Sequence, residues 1–305
     1  MTSFKPTMNV EQAKAALQRI EGVPVEEATP IEMGEISRAF RYAVGGEERI
    51  VHFKFDMSGV EKTRYMAERY GPILGLPRVL KTGSVDGIPY TVSELLPGKP
   101  LSRLREEELL AAMPDLVRRF RELNRIRGSE ADGYGWISAG GKAVYPSWGA
   151  FVASLFSEEQ EGFYAGWTAL FDQGILERDV FDAVYAAIRE LLPYAPKEKY
   201  LVHGDFHFWN MLSDGAAVTG IVDWEMAMYG DFMFDVAVLH LWHPQARFPE
   251  RVREAWEAEG EAIPRFEERL RCYRLIKGLD GLRFYAKKGD RPAYDFMKSE
   301  LMPLL

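Results

Sequence analysis

Residues 201–235 read LVHGDFHFWNMLSDGAAVTGIVDWEMAMYGDFMFD, the densest cluster of polar chemistry in a chain of 305 residues. An apolar run ends at His203-Gly204-Asp205, which sets a carboxylate where a strand gives way to a loop. Asn210 follows five residues later and leads into a short apolar piece, Met211-Leu212. Asp214-Gly215 is a hairpin signal. The returning run, 217–222, ends at Asp223. One short hairpin can therefore deliver Asp205, Asn210 and Asp223 to a common place.

Those three groups suit phosphoryl transfer. Mg²⁺ on the phosphate oxygens prefers hard oxygen ligands such as Asp and Asn. An acceptor hydroxyl needs a carboxylate to orient it and take its proton. An Asp, an Asn five residues on and a second Asp on the next strand follow the catalytic-loop logic of kinases. On that logic Asp205 is the base, while Asn210 and Asp223 hold magnesium.

Upstream of this stretch the pattern divides in two. Val10, Ala13, Leu17 and Ile20 share one face of a leading helix. Segments 39–44 and 49–55 read as strands joined by Gly45-Gly46, 61–70 as a helix, and 77–80 and 89–96 as further strands. Beyond Pro97-Gly98 helical spacing takes over: 104–126 (with Pro114 inside), 148–156, 178–192, 231–242 and 264–288. Segment 128–146 reads as a loop, and its SAGGK at 138–142 lacks the spacing of a phosphate loop. The expected fold is α+β, with a β-rich N-terminal lobe over residues 1–96 and a mostly helical lobe over 97–305.

Composition excludes several classes. Hydrophobic residues make up 47% and charged ones 28%, the balance of a folded chain. A single cysteine, Cys272, cannot form an internal disulfide, and with no signal-like N-terminus the expectation is cytoplasmic. No apolar run is long enough to span a membrane. Residues 1–95 hold 12 basic and 13 acidic side chains; the rest hold 26 and 33, a net charge of −7. Such a balance disfavours nucleic acid, and it reads either as steering for a cationic small molecule or as ordinary solubility.

HGDFHFWN followed by IVDWE resembles the motif pair of the aminoglycoside phosphotransferase and choline kinase superfamily, relatives of the protein kinases. GEISRAFRYAVGG, VEKTRYMAERY, GYGWISAGG, YPSW and MYGDFMFDVAVLHLWHP extend the likeness, in order, towards the hygromycin B phosphotransferases. It covers roughly residues 30–245. The resemblance implies a kinase-like bilobal fold, ATP or GTP with Mg²⁺, and a small, cationic acceptor, hygromycin B first among aminoglycosides. It implies that the loop from Gly34 to Ser37 covers the phosphates and that Glu94 and Leu95 form the hinge to the base. It further implies that His203 braces the catalytic loop and that Asp235 hydrogen-bonds it from the next helix.

The chain departs from the pattern on the nucleotide side. No G-x-G-x-x-G is present, and the strand position usually Lys or Arg falls at His52. Lys54 shares its face by strand alternation, and a mostly neutral His52 neutralises phosphate less well than Lys or Arg. Glu61 and Glu68 are both candidate partners for the strand cation. His207 and Glu225 are possible substrate contacts, set against a loop hydrogen bond and a solvated carboxylate respectively. Trp148, Trp224 and Trp242 read as core. Choline, macrolide or sugar kinases share the apparatus and remain alternatives. His203, Asp205 and His207 also spell H-x-D-x-H, a ligand pattern for a metal-dependent hydrolase. A nucleotide-retaining module without turnover is the third reading.

Overall fold

The structure, a computed structural model, describes residues 6–31, 37–129 and 132–305. In chain order it runs α1 (Val10–Glu21), β1 (Ala28–Ile31), β2 (Arg38–Val44), β3 (Glu47–Phe53), α2 (Met57–Leu74), β4 (Val79–Val85), β5 (Ile88–Glu94), β6 (Lys99–Pro100) and α3 (Glu106–Asn124). Next come β7 (Gly135–Trp136), α4 (Trp148–Leu155), α5 (Ala169–Asp172), α6 (Arg178–Leu191) and β8 (Tyr200–Val202). The remainder is β9 (Met211–Ser213), β10 (Val218–Ile221), β11 (Met228–Gly230), α7 (Met233–Trp242), α8 (Phe248–Glu257), α9 (Phe266–Lys288) and α10 (Arg291–Leu301).

Two compact units emerge. One comprises Met1–Leu116, Ile137–Lys142 and Trp209–Glu225; the other Val117–Trp136, Ala143–Phe208 and Met226–Leu305. The class is α+β, with an antiparallel sheet early in the chain and helices dominating the later part.

In the first unit five strands pair antiparallel in the order β1-β2-β3-β5-β4. The two tight hairpins need left-handed backbone at both turn residues, which Gly45-Gly46 (φ 62 and 83) and Asp86-Gly87 (φ 53 and 77) supply. Phe40, Val51, Phe53 and Val92 point to one face and meet Ala13, Ala16 and Leu17 of α1. Burying each large apolar side chain contributes roughly 2–3 kcal/mol. Asn9 and Gln12 form a capping box that starts α1. Asp56 caps α2 four residues earlier than apolar spacing alone indicates, because its carboxylate accepts the Gly59 N–H. β6, β9 and β10 make a small second sheet in the same unit.

The second unit is built on α9, which packs on α6, α7 and α10. Tyr273, Leu275, Ile276, Leu279 and Leu282 are its buried stripe. Trp148 is core as expected, and its indole N–H donates to the Tyr273 hydroxyl at 3.1 Å. β8 pairs with β11, and β11 with β7. No helix among the described residues is long and apolar enough to cross a membrane.

Candidate active site

In the helical unit, β8 ends at Val202 and the chain turns sharply at Gly204, whose φ is 83. A side chain cannot stand there, since a Cβ would lie 2.3 Å from the Met226 carbonyl oxygen. The turn aims the N–H groups of His203 and Gly204 at the carboxylate of Asp235, at 2.8 and 2.9 Å. Asp235 sits in the first turn of α7 and is fully buried. Burial pushes its pKa up to about 7 despite those two hydrogen bonds, with the charge of Asp205 acting in the same direction.

Asp205 is set by the same turn. Its N–H donates to His203 Nδ1 at 3.2 Å, so the fully buried His203 holds the loop through its ring. One carboxylate oxygen lies 3.1 Å from His207 Nε2, the other 3.9 Å from Lys277 Nζ. Burial raises the Asp205 pKa, but the His207 hydrogen bond and the Lys277 charge outweigh it and hold the group well below the usual carboxylate range. Asp205 is therefore an ionised acceptor-only group with a fixed backbone, as a base for a hydroxyl proton requires.

The sheet unit carries the other half of the motif. Asn210 is buried, and its carbonyl accepts the Val222 N–H at 2.9 Å, continuing the Met211–Ile221 register of β9 and β10. Asn210 and Asp223 therefore stand at the same end of one hairpin. Asp223 adopts φ 65, a left-handed conformation that a non-glycine residue takes only at a cost. Next to it, Glu225 forms an ion pair with Lys54, whose Nζ also donates to Thr63 Oγ1 at 3.0 Å. Lys62 Nζ donates to the Glu225 carbonyl at 2.5 Å. Burial lowers the Lys54 pKa, and the charges of Asp223 and Asp56 oppose that.

Lys54, not His52, is thus the buried cation of this strand end. His52 is half-buried, its Nδ1 lies 3.2 Å from Ser37 Oγ, and burial depresses its pKa to about 4, with Lys54 adding repulsion. It is neutral at physiological pH. Neither helix glutamate singled out in the sequence meets Lys54: Glu68 faces Arg64 one turn away, and Glu225 takes the role. Glu225 is consequently tied into an ion pair, whereas the sequence offered it as a substrate contact or a solvated carboxylate. Gly34 lies outside the described residues. At the expected hinge, the Glu94 N–H donates to Arg78 O at 3.1 Å and its carboxylate accepts from Arg78, while the Leu95 N–H meets Glu48 O at 3.4 Å.

Sequence reasoning missed Lys277 and Lys62. Lys277 sits on a helix with no motif around it and Lys62 within VEKTRYMAERY, where no role was assigned to it; only the fold brings α9 to Asp205 and α2 to Glu225. The H-x-D-x-H reading gains no geometric support. His203 Nδ1 is engaged by backbone, and among the described residues no group of three or more His, Cys, Asp or Glu is disposed to hold a metal ion. Asn210 and Asp223 offer one neutral and one anionic oxygen donor, which fits Mg²⁺ bound jointly with phosphate oxygens and water.

A carboxylate at a strand end, an Asn five residues on and a second Asp closing a hairpin are the group types that phosphoryl transfer to a hydroxyl needs. The chain belongs to the Phosphotransferase enzyme family, whose model matches residues 28–276. It is similar to the hygromycin-B 4-O-kinase of Escherichia coli, 28% identical over 263 residues, which span 85% of this chain and 74% of that one. Its fold matches a thermostable mutant of aminoglycoside phosphotransferase APH(4)-Ia in ternary complex with AMP-PNP and hygromycin B. That match has a TM-score of 0.77 and 25% identity, covering 95% of this chain and 97% of the other. A macrolide 2'-phosphotransferase type I shares the fold at TM-score 0.62 and 16% identity, covering 96% of this chain and 99% of that one.

Proposed function

We propose that the protein transfers the γ-phosphoryl group of ATP or GTP to a hydroxyl of an aminoglycoside, hygromycin B first. The carrying observation is the state of Asp205, a carboxylate kept ionised by His207 and Lys277 and fixed in place through His203 and Asp235. Asp205 orients the acceptor hydroxyl and takes its proton as that oxygen bonds to phosphorus and the bond to the leaving diphosphate breaks. Asn210 and Asp223 hold Mg²⁺, which supplies charge neutralisation on the phosphate oxygens. Lys54, kept in register by Glu225, faces the phosphates, and Ser37 covers them. Glu94 and Leu95 meet the base. Residues 1–96 carry the nucleotide and residues 97–305 the catalytic base and the acceptor.

The net charge of −7 beyond residue 95 favours a polycationic acceptor over a neutral one. The test is coupled nucleotide consumption with ATP and with GTP across aminoglycosides, macrolides, choline and simple sugars. Hygromycin-dependent turnover, together with hygromycin resistance on expression in a sensitive host, supports the proposal. Turnover with a different alcohol alone replaces the acceptor, and nucleotide binding without any turnover overturns the enzymatic reading.

A further inference from the structure

Helix α9 carries several basic side chains, and most of them are tied to protein oxygens. Arg269 donates to Asp231, Arg271 to the main-chain oxygens of Leu304 and Leu305, Arg283 to Asp280 and Lys287 to the Ala165 carbonyl. Lys277 differs. Its side chain is 20% exposed, and among the described residues its Nζ donates no hydrogen bond. It is paired with Asp205 Oδ1 across 3.9 Å, within the same unit, and its ammonium stays open to solvent.

That distance exceeds a hydrogen bond. It suits two groups that share one oxygen between them, about 2.8 Å from each. A hydroxyl fills that place completely. It donates its hydrogen to the carboxylate, accepts from the ammonium through one lone pair and keeps the second lone pair for phosphorus. His207 meets the other carboxylate oxygen at 3.1 Å, so the two contacts fall on different oxygens of Asp205.

We propose that Lys277 is a further catalytic residue, donating a hydrogen bond to the oxygen of the acceptor hydroxyl that Asp205 deprotonates. The inference rests on the kinase reading of Asp205. As the acceptor oxygen bonds to phosphorus and the bond to the leaving diphosphate breaks, the hydroxyl proton passes to Asp205. Lys277 keeps its own protons and offsets the negative charge that the oxygen develops. A lysine here that did not touch the acceptor would only repel a polycationic one. The sign of its effect on acceptor affinity separates the two roles.

Lys277→Met removes the ammonium and keeps an apolar stem along the helix. Isothermal titration of this variant with hygromycin B should give a Kd raised about tenfold, while its Kd for a non-hydrolysable ATP analogue stays that of the parent. Turnover should fall about 10²-fold, the scale of one lost donor to a developing oxyanion. Lys277→Arg should restore at least about a tenth of the parent rate, because it keeps the charge and the donors. Tighter or unchanged acceptor binding in Lys277→Met, or turnover within about threefold of the parent, overturns the inference and leaves the kinase reading standing. An equal loss of nucleotide affinity marks a structural lysine and overturns it too. If the parent turns over another acceptor in place of hygromycin B, the titration uses that acceptor. A parent without turnover on any acceptor overturns the kinase reading and this inference together.

Discussion

Lys54 and Glu225 meet as an ion pair although 171 positions separate them in the sequence. Their side chains are 7% and 19% exposed, so the pair is shielded enough for its loss to be felt. If Lys54 serves the phosphates, Lys54→Met should raise the nucleotide Kd at least about tenfold, worth about 1.4 kcal/mol. His52 is neutral, and His52→Ala should change that Kd less than about threefold. Titration with a non-hydrolysable nucleotide checks both. Equal losses in the two variants would return the phosphate role to His52.

Asp223 pays for its position in backbone strain. Its φ of 65 favours glycine by about 1–2 kcal/mol. Asp223→Gly should therefore unfold at a higher urea midpoint than the parent, while losing Mg²⁺-dependent nucleotide binding. Asp223→Asn tolerates the same φ and isolates the charge. A destabilised glycine variant would mean that the carboxylate holds the fold rather than the metal.

Asp205→Asn should cost about 10³-fold in turnover, within the usual range for a general base, and leave nucleotide affinity within about twofold. Steady-state kinetics paired with equilibrium titration separates the two readouts. Near-parent turnover in this variant removes Asp205 from the reaction.

How far these roles were legible follows from where the information lies. The hairpin and its three polar groups are local, held within residues 203–223, and strand alternation with a glycine turn was enough to place them. The Gly45-Gly46 hairpin of the first sheet was visible for the same reason; the Asp86-Gly87 turn was not read, because β4 runs on to Val85 where the apolar pattern faded at Leu80. The partner of Lys54 was not legible, because Glu225 lies beyond the hairpin and no helix period points to it. Lys277 sits on a long helix with no motif around it. Chemistry carried by one turn of chain is readable; chemistry assembled by packing is not.

In the core of the helical unit, Arg269 forks onto Asp231 at 2.8 and 2.5 Å, and Tyr273 donates to the same carboxylate at 2.6 Å. Both charged side chains are almost fully buried. Arg269→Met leaves a buried carboxylate with one donor fewer on each oxygen, and should cost about 3–5 kcal/mol of unfolding free energy. Tyr273→Phe removes that bond to a charged group, at about 1.5–3 kcal/mol, and also orphans the buried Trp148 indole N–H, at about 1–3 kcal/mol more. Urea denaturation measures both. An Arg269 variant as stable as the parent would show that the pair is offset by its own desolvation.

Asp205 and Asp235 respond to pH in opposite senses. The Asp205 pKa lies below its ordinary 3.8 in the fold, so its contribution is present above about pH 4 and is lost as the pH falls. The Asp235 pKa is raised to about 7, so the folded state holds an extra proton between about pH 4 and 7. Its contribution is complete below pH 4 and declines as the pH rises through 7. The span is on the order of 4 kcal/mol. Asp235→Asn removes the titration, but turns an amide N–H₂ towards one of the two backbone donors, His203 or Gly204, and leaves it unsatisfied at about 1–3 kcal/mol. The variant should therefore be less stable than the parent at pH 5, and the gap should narrow or reverse by pH 8. Urea unfolding at the two pH values decides it. A gap that widens with pH means that Asp235 is ionised throughout and that its two backbone hydrogen bonds outweigh burial.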